Sequence, residues 1–170
     1  GQGTVGLELV EDVDILGLHP DAVLGPCGGG GLSAGIGLAV RHSLPETAIY
    51  AVEPVGFEDY GRSLRQGKPV ANLDLSGSVC DALLAPTPGP IGFSLNRVNL
   101  SGALAVTDGQ ALEAVAFAFR ELKLVVEPGG AVGLAAVLSG LIDCRGRTVV
   151  VVLSGGNIDA PVLQRAPRGH

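Results

Sequence analysis

No long block of lysine or arginine occurs in this sequence of 170 residues, and its formal net charge is −6. That combination argues against a nucleic-acid or anionic-membrane surface as the working face. Cysteine is scarce as well. Cys27, Cys80 and Cys144 are scattered without CxxC spacing, which indicates neither a disulfide framework nor a zinc knuckle. A reducing cytoplasm is the expected setting. No run of 18 apolar residues appears, nor a charged segment leading into a short apolar one, so neither a membrane span nor a secretion signal is expected. Methionine is absent altogether, even near Gly1-Gln2-Gly3-Thr4. The chain reads as a piece of something longer.

What is present is apolar: 46% of residues, against 16% charged. That suffices for one domain with a substantial core and excludes disorder. Four glycines stand in a row, Gly28 to Gly31, inside Gly25-Pro26-Cys27-Gly28-Gly29-Gly30-Gly31-Leu32-Ser33-Ala34-Gly35. Such a run packs no side chain and loses much backbone entropy on folding. An apolar run, Ala22-Val23-Leu24, enters it, and a small-residue helical pattern from Leu32 leaves it. Bare N–H groups at a helix start bind anions, so the stretch reads as a phosphate cradle on a strand–loop–helix unit.

The remaining periodicity predicts helices over Thr4 to Val13 (Thr4 as N-cap), Leu32 to His42, Glu58 to Gln66 closed by Gly67, Gln110 to Lys123 (capped by Thr107 or Asp108) and Gly130 to Gly140. Strands are predicted at Ala22 to Leu24, Ala48 to Val52, Ala103 to Val106 and Thr148 to Leu153. The run Ala85-Pro86-Thr87-Pro88-Gly89-Pro90 reads as loop. Strands alternating with helices, and apolar throughout, imply an α/β fold: a parallel sheet with helices on both faces. Ligands of such sheets bind beyond the carboxyl ends of the strands. Gly28–Gly31, Glu53-Pro54 and Ser154-Gly155-Gly156-Asn157 all fall there.

The spelling of these stretches admits several chemistries. Gly1-x-Gly3-x-x-Gly6 matches a dinucleotide fingerprint but lacks the strand before it that gives the pattern meaning. Gly29-x-Gly31-x-x-Ala34 has that strand, and Glu53 stands where a ribose hydroxyl would be held, which keeps an NAD-binding dehydrogenase segment open. Gly31-x-Ser33-x-Gly35 spells a hydrolase nucleophile elbow, yet only His42 and His170 follow it, and no base is in prospect. Cys27 is either a reactive thiol or inert packing. The acids Glu53, Glu58 and Asp59 are either a solvated helix start or a hard-cation site. A non-catalytic, partner-binding module is the remaining alternative.

Four motifs in order carry a more specific likeness. Pro26 to Gly35, then Ala51-Val52-Glu53-Pro54, then Glu121-Leu122-Lys123-Leu124-Val125-Val126-Glu127-Pro128-Gly129-Gly130-Ala131, then Leu153-Ser154-Gly155-Gly156-Asn157 together resemble the threonine/serine dehydratase family. These are pyridoxal-phosphate enzymes of the tryptophan-synthase-β-like fold, serine racemase among them. The resemblance covers residues 1 to about 160. It implies that Gly28, Gly29, Gly30, Gly31 and Leu32 hold the cofactor phosphate. It implies that Ser154 meets the pyridine nitrogen, that Gly155 and Asn157 shape the same wall, and that Glu127 lies near the ring or substrate. Glu53, Asp59 and the Phe57 carbonyl resemble the family's divalent-cation site, for Mg2+ or Ca2+.

The reaction so implied is β-elimination from a hydroxy-amino acid, L-threonine or L-serine, to 2-oxobutanoate or pyruvate plus ammonia, in a homo-oligomer (dimer or tetramer). Racemisation, or elimination from 3-hydroxyaspartate, stays open. The family's Schiff-base lysine sits in a Ser-x-Lys-x-Arg segment. Here the only lysines are Lys68 and Lys123, in other settings, so no catalytic residue is assigned. Residues 1–170 thus resemble the C-terminal part of the large cofactor-binding domain, without the lysine-bearing segment or the small domain. No regulatory domain is expected after residue 160. Cys80-Asp81-Ala82 departs from the family's more usual Ala-Asp-Gly and leaves substrate preference open. Apolar surface is expected where the missing half would pack.

Overall fold

In a computed structural model, residues 1–167 are described; His170 lies outside them. The elements run α1 (Gly3–Ile15), β1 (Ala22–Pro26), α2 (Gly31–Ser43), β2 (Ala48–Pro54), α3 (Asp59–Gln66), α4 (Pro90–Asn99), β3 (Gly102–Val106), α5 (Asp108–Phe117), α6 (Pro128–Leu138), β4 (Val149–Val151) and α7 (Ala160–Arg165). All strand pairings are parallel, in the order β3-β2-β1-β4. The α/β fold with a parallel sheet is therefore as expected.

Side chains alternate across the sheet. Ala22, Leu24 and Val52 face one way, into a core with α5 and α6 that includes Val115, Val132 and Ala135. Val23 and Ile49 face the other way, against Leu9 and Val13 of α1 and Ile36 and Val40 of α2. Each fully buried valine, leucine or isoleucine among them contributes roughly 1.5–3 kcal/mol. With both faces covered, β1 has no exposed residue, which is why its sequence runs apolar instead of alternating.

Helix ends follow their local chemistry, with some departures. Thr107 caps α5 in a reciprocal pair with Gln110, as expected, and Gly67 closes α3 at φ +69°. Thr4 is not a cap. α1 begins at Gly3, and the Thr4 hydroxyl donates back to the Gly1 carbonyl. The helix expected to reach Lys123 is α-helical only to Phe117, then widens to a π-turn over Ala118–Leu122. Lys123 ends it at φ +61°, its ammonium donating to the Arg120 carbonyl, which suits a cation at a helix C-terminus. The proline-rich run is loop only to Gly89. Pro90 opens α4 instead of breaking it, because the first helical position has no intrahelical use for an N–H. β4 is shorter than the apolar run Thr148–Leu153 promised. It lies at the sheet's edge with β1 as its one partner, although Val152 still donates to Leu24.

α1 and α2 approach backbone to backbone. A Cβ on Gly35 would stand 2.5 Å from the Gly3 nitrogen, and one on Gly6 2.8 Å from the Ala39 Cβ. The first dinucleotide-like spelling, Gly1 to Gly6, is thus helix-packing surface for its last two glycines. Gly35→Ala is expected to destabilise the fold by about 1–3 kcal/mol through overpacking, read as a fall in Tm of about 2–4 °C per kcal/mol in thermal unfolding of the full chain.

Candidate functional site

The glycine loop leaves β1 and enters α2. Gly30 is its turning point, at φ +87°, and serves as the N-cap of α2. Only glycine suits it: an added Cβ would meet the Tyr60 hydroxyl at 1.7 Å, and the left-handed backbone disfavours any side chain. The loop's carbonyls are taken from behind. Gly29 accepts from the Gly89 N–H at 3.1 Å, and Gly30 accepts from the Ala34 N–H at 3.0 Å and from Asn96 Nδ2 at 3.0 Å. The N–H groups of Gly28 to Gly31 find no acceptor among the described residues. They sit at the positive end of the α2 dipole, where an anion is favoured.

In front of these groups lies a cavity of about 220 Å3, lined by Gly28 to Gly31, Leu32, Ala82, Leu83, Glu127, Gly129 and Ser154. Ser154 follows β4, and Glu127 is the N-cap of α6. The two far-apart segments meet because Glu127 donates its N–H to the Gly155 carbonyl at 2.9 Å. Gly155 abuts Glu127 so closely that a Cβ would lie 2.5 Å from its carboxylate. Of the expected wall residues, then, Ser154 and Glu127 face the cavity and Gly155 backs Glu127. Asn157 is exposed and is not among the lining residues.

Ala82, Leu83 and Gly129 also line the cavity, none of them named as a site residue from the sequence. Ala82 and Leu83 come from a short 3-10 turn. That loop is pinned by Asp108, which accepts from the Ser78 hydroxyl at 2.6 Å and the Val79 N–H at 3.2 Å. No lysine lines the cavity; Lys68 and Lys123 are exposed elsewhere. A larger cavity, about 430 Å3 between α5 and α7, is lined by Ala116, Phe119, Arg120 and Leu163. It presents no convergent set of polar groups and stands apart from the loop.

The acidic cluster divides. Glu58 is at the surface and pairs with Arg62 at 3.5 Å. Glu53 is 1% exposed and Asp59 fully buried. Glu53 accepts the N–H groups of Tyr60 and Gly61, each at 2.8 Å, so it caps α3 from the end of β2. Burial pushes its pKa up to about 8, against the pull of those two N–H bonds. Asp59 accepts from Asn72 through one oxygen, at 2.9 Å. Its other oxygen is buried without a partner, and burial raises its pKa too. The Phe57 backbone lies between them in sequence, its N–H donating to Pro54. No group of three His, Cys, Asp or Glu that could hold a metal occurs among the described residues.

This geometry bears on the rival spellings. The order β3-β2-β1-β4 also occurs in dinucleotide folds, so topology does not separate the two readings. Glu53 does: both its oxygens accept from the first turn of α3, and it does not line the cavity in front of the glycine loop. Ser33 is buried and donates to the Pro26 carbonyl at 3.3 Å, leaving no nucleophile for a hydrolase. Cys27 is buried, and desolvation holds its thiol well above the ordinary range, so it is packing.

A model of the family described as pyridoxal-phosphate dependent enzymes matches residues 1–155. The chain belongs to that family. It is 34% identical to the L-threonine ammonia-lyase of Thermotoga maritima over 165 residues, 97% of this chain and 40% of the relative. It is 36% identical to the serine racemase of Arabidopsis thaliana, over 94% of this chain and 48% of the relative. Among solved structures, a threonine deaminase from the organism abbreviated T.th. superposes with a TM-score of 0.89 at 39% identity, covering 94% of this chain and 58% of that one. Serine racemase from Dictyostelium discoideum gives 0.83 at 32%, covering 94% and 50%. The chain thus spans about half the length of the relatives it matches. No described helix is long and apolar enough to cross a membrane.

Gly30→Ala is expected to weaken binding of a phosphate-bearing ligand about ten-fold or more, through left-handed strain and the collision with Tyr60. Titration of inorganic phosphate into the substituted chain reads it.

Proposed function

We propose that this chain is the C-terminal part of the large domain of a pyridoxal-phosphate lyase, which removes ammonia from a small β-hydroxy amino acid, L-threonine or L-serine. The observation that carries this reading is the cavity that joins four unspent backbone N–H groups to the Ser154 hydroxyl. The residues present fit the cofactor's phosphate: donors without acceptors, a helix dipole behind them, and a backbone bare of Cβ. They do not supply its covalent anchor, because no lysine lines the cavity. The relatives are about twice as long as this chain, and we assign the lysine to a segment outside it.

Each residue then has a task. The N–H groups of Gly28 to Gly31, with Leu32 beside them, fix the phosphate by charge-assisted hydrogen bonds. Ser154 would meet the pyridine nitrogen; a hydroxyl there, unlike a carboxylate, would leave that nitrogen neutral. Glu127, steadied by Gly155, would stand at the ring or substrate side, and Ala82 would help to bound the substrate pocket. When bound, pyridoxal phosphate supplies the electron sink for reaction at an amino acid's α-carbon, and the protein supplies binding and orientation. The relatives include L-threo-3-hydroxyaspartate ammonia-lyase, so the shared substrate feature is the β-hydroxyl. We assign the enzyme to the cytoplasm, supported by three free cysteines, and to a homo-oligomer of two or four copies, supported by exposed Leu73, Ile91 and Val98.

The test is a titration of the full chain with pyridoxal phosphate, pyridoxal and NAD in turn. Pyridoxal phosphate is expected to bind and to be displaced by inorganic phosphate. Pyridoxal is expected to bind about ten-fold more weakly, for loss of the charged contacts. The chain alone should develop no Schiff-base absorption and release no keto acid from threonine. Binding of NAD in preference to pyridoxal phosphate would overturn the reading.

We further assign Glu53, Asp59 and the Phe57 carbonyl to a divalent cation, Mg2+ or Ca2+. The buried, partnerless oxygen of Asp59 is the supporting observation, since hard cations take oxygen ligands and a cation would keep both acids ionised. Either ion, at about 100 times its Kd, should stabilise the fold by about 2.7 kcal/mol, a rise in Tm of several degrees. That rise should vanish in Asp59→Ala. An unchanged Tm in the unsubstituted chain would refute the assignment.

A further inference from the structure

We propose that Asn96 and Tyr60 are positioning residues of the phosphate cradle: they hold the carbonyls of Gly29 and Gly30 on the protein side and so aim the N–H groups of Gly30 and Gly31 into the cavity. The proposal rests on reading the loop as a phosphate site. A trans peptide unit points its carbonyl and its N–H in opposite directions within one plane. The Gly29 carbonyl shares its plane with the Gly30 N–H, and the Gly30 carbonyl with the Gly31 N–H. Whatever grips the carbonyls therefore orients the donors.

The grip is a connected chain. Asn96 Nδ2 donates to the Gly30 carbonyl at 3.0 Å and to the Tyr60 hydroxyl at 3.2 Å. The phenol, accepting there, turns its own hydrogen toward the Gly29 carbonyl at a longer 3.4 Å. Gly92, in the first turn of α4, lets the helix approach: a Cβ there would lie 3.2 Å from each of the two carbonyls.

The cost of Asn96 points the same way. Its side chain is fully buried, and its Oδ1 has no partner. A buried acceptor left unmet is unfavourable, and a leucine of similar size would avoid it. Turning the amide over would set Oδ1 against the Gly30 carbonyl, acceptor on acceptor. The amide at this position is accounted for by what its two N–H groups hold. Neither Asn96 nor Tyr60 lines the cavity, so both act through the loop.

The experiment uses the full chain labelled with 15N-glycine, with inorganic phosphate as the probe and thermal unfolding in parallel. Asn96→Leu is expected to weaken phosphate binding about ten-fold and Tyr60→Phe about three-fold. Both should shift the Gly30 and Gly31 amide signals before phosphate is added. Folded variants with altered Tm but unchanged phosphate affinity would overturn the proposal. Tyr60→Phe keeps the ring and decides the matter where Asn96→Leu does not fold. Phosphate binding without any preference for pyridoxal phosphate over pyridoxal would remove the cofactor reading and leave this proposal standing. An unsubstituted chain that binds no phosphate would remove both.

Discussion

A peptide unit cannot present its donor to a ligand while its acceptor wanders, and the glycine loop is built around that constraint. Four residues without side chains have no means of holding themselves in one conformation. Their order comes from outside: the Gly89 N–H, Asn96 and Tyr60 behind, and the first turn of α2 ahead. The conformational freedom that makes glycine costly to order is removed by bonds to carbonyls alone. The N–H groups are left over as a consequence, and a row of unspent donors at a helix N-terminus is an anion site.

The same constraint explains why an ionisable residue, Glu53, is buried beside it. Tyr60 can reach the loop only if α3 starts at the right height, and α3 starts where Glu53 accepts the Tyr60 and Gly61 N–H groups. Removing a carboxylate from water is expensive unless it is hydrogen-bonded or paired. Glu53 is hydrogen-bonded but lies beside a second buried acid, and its raised pKa records the remaining penalty. A nearby cation would offset that penalty while leaving the Glu53 bonds to α3 in place. The buried acids and the glycine loop thus meet at one helical turn, joined through the backbone and side chain of Tyr60.

How much of this was legible in the sequence depended on whether a feature is local. β1 and α2 could be read because the apolar run, the glycines and the helical spacing are contiguous. α4 could not, because Pro90 ends a run of turn residues and only its position at the first helical residue makes it compatible with a helix. The glycine loop could be read from Gly28–Gly31, but the groups that hold its carbonyls could not. Asn96 lies 66 residues from the carbonyl it holds, in a helix the pattern concealed. Ala82 and Leu83 enter the cavity because Asp108 pins their loop across a gap of 30 residues to Ser78, a link that no spacing rule reports. α7 was missed for want of length: six residues offer less than two turns of periodicity.

One stretch of eleven residues spelled a dinucleotide fingerprint, a hydrolase elbow and a phosphate cradle, and what separates them is which groups are free. Glu53 bears the right charge for a ribose, but both its oxygens are engaged by α3. Ser33 bears the right hydroxyl for a nucleophile, but it is turned back onto Pro26. The loop N–H groups find no acceptor among the described residues. A motif states which groups are near; packing states which have already found partners. The chemistry open to a site is what remains after the fold's own hydrogen bonds are satisfied, and here that remainder is a set of backbone donors facing one serine hydroxyl and one glutamate. Such a set of donors suits an anion, and no lysine stands among the residues that line the cavity.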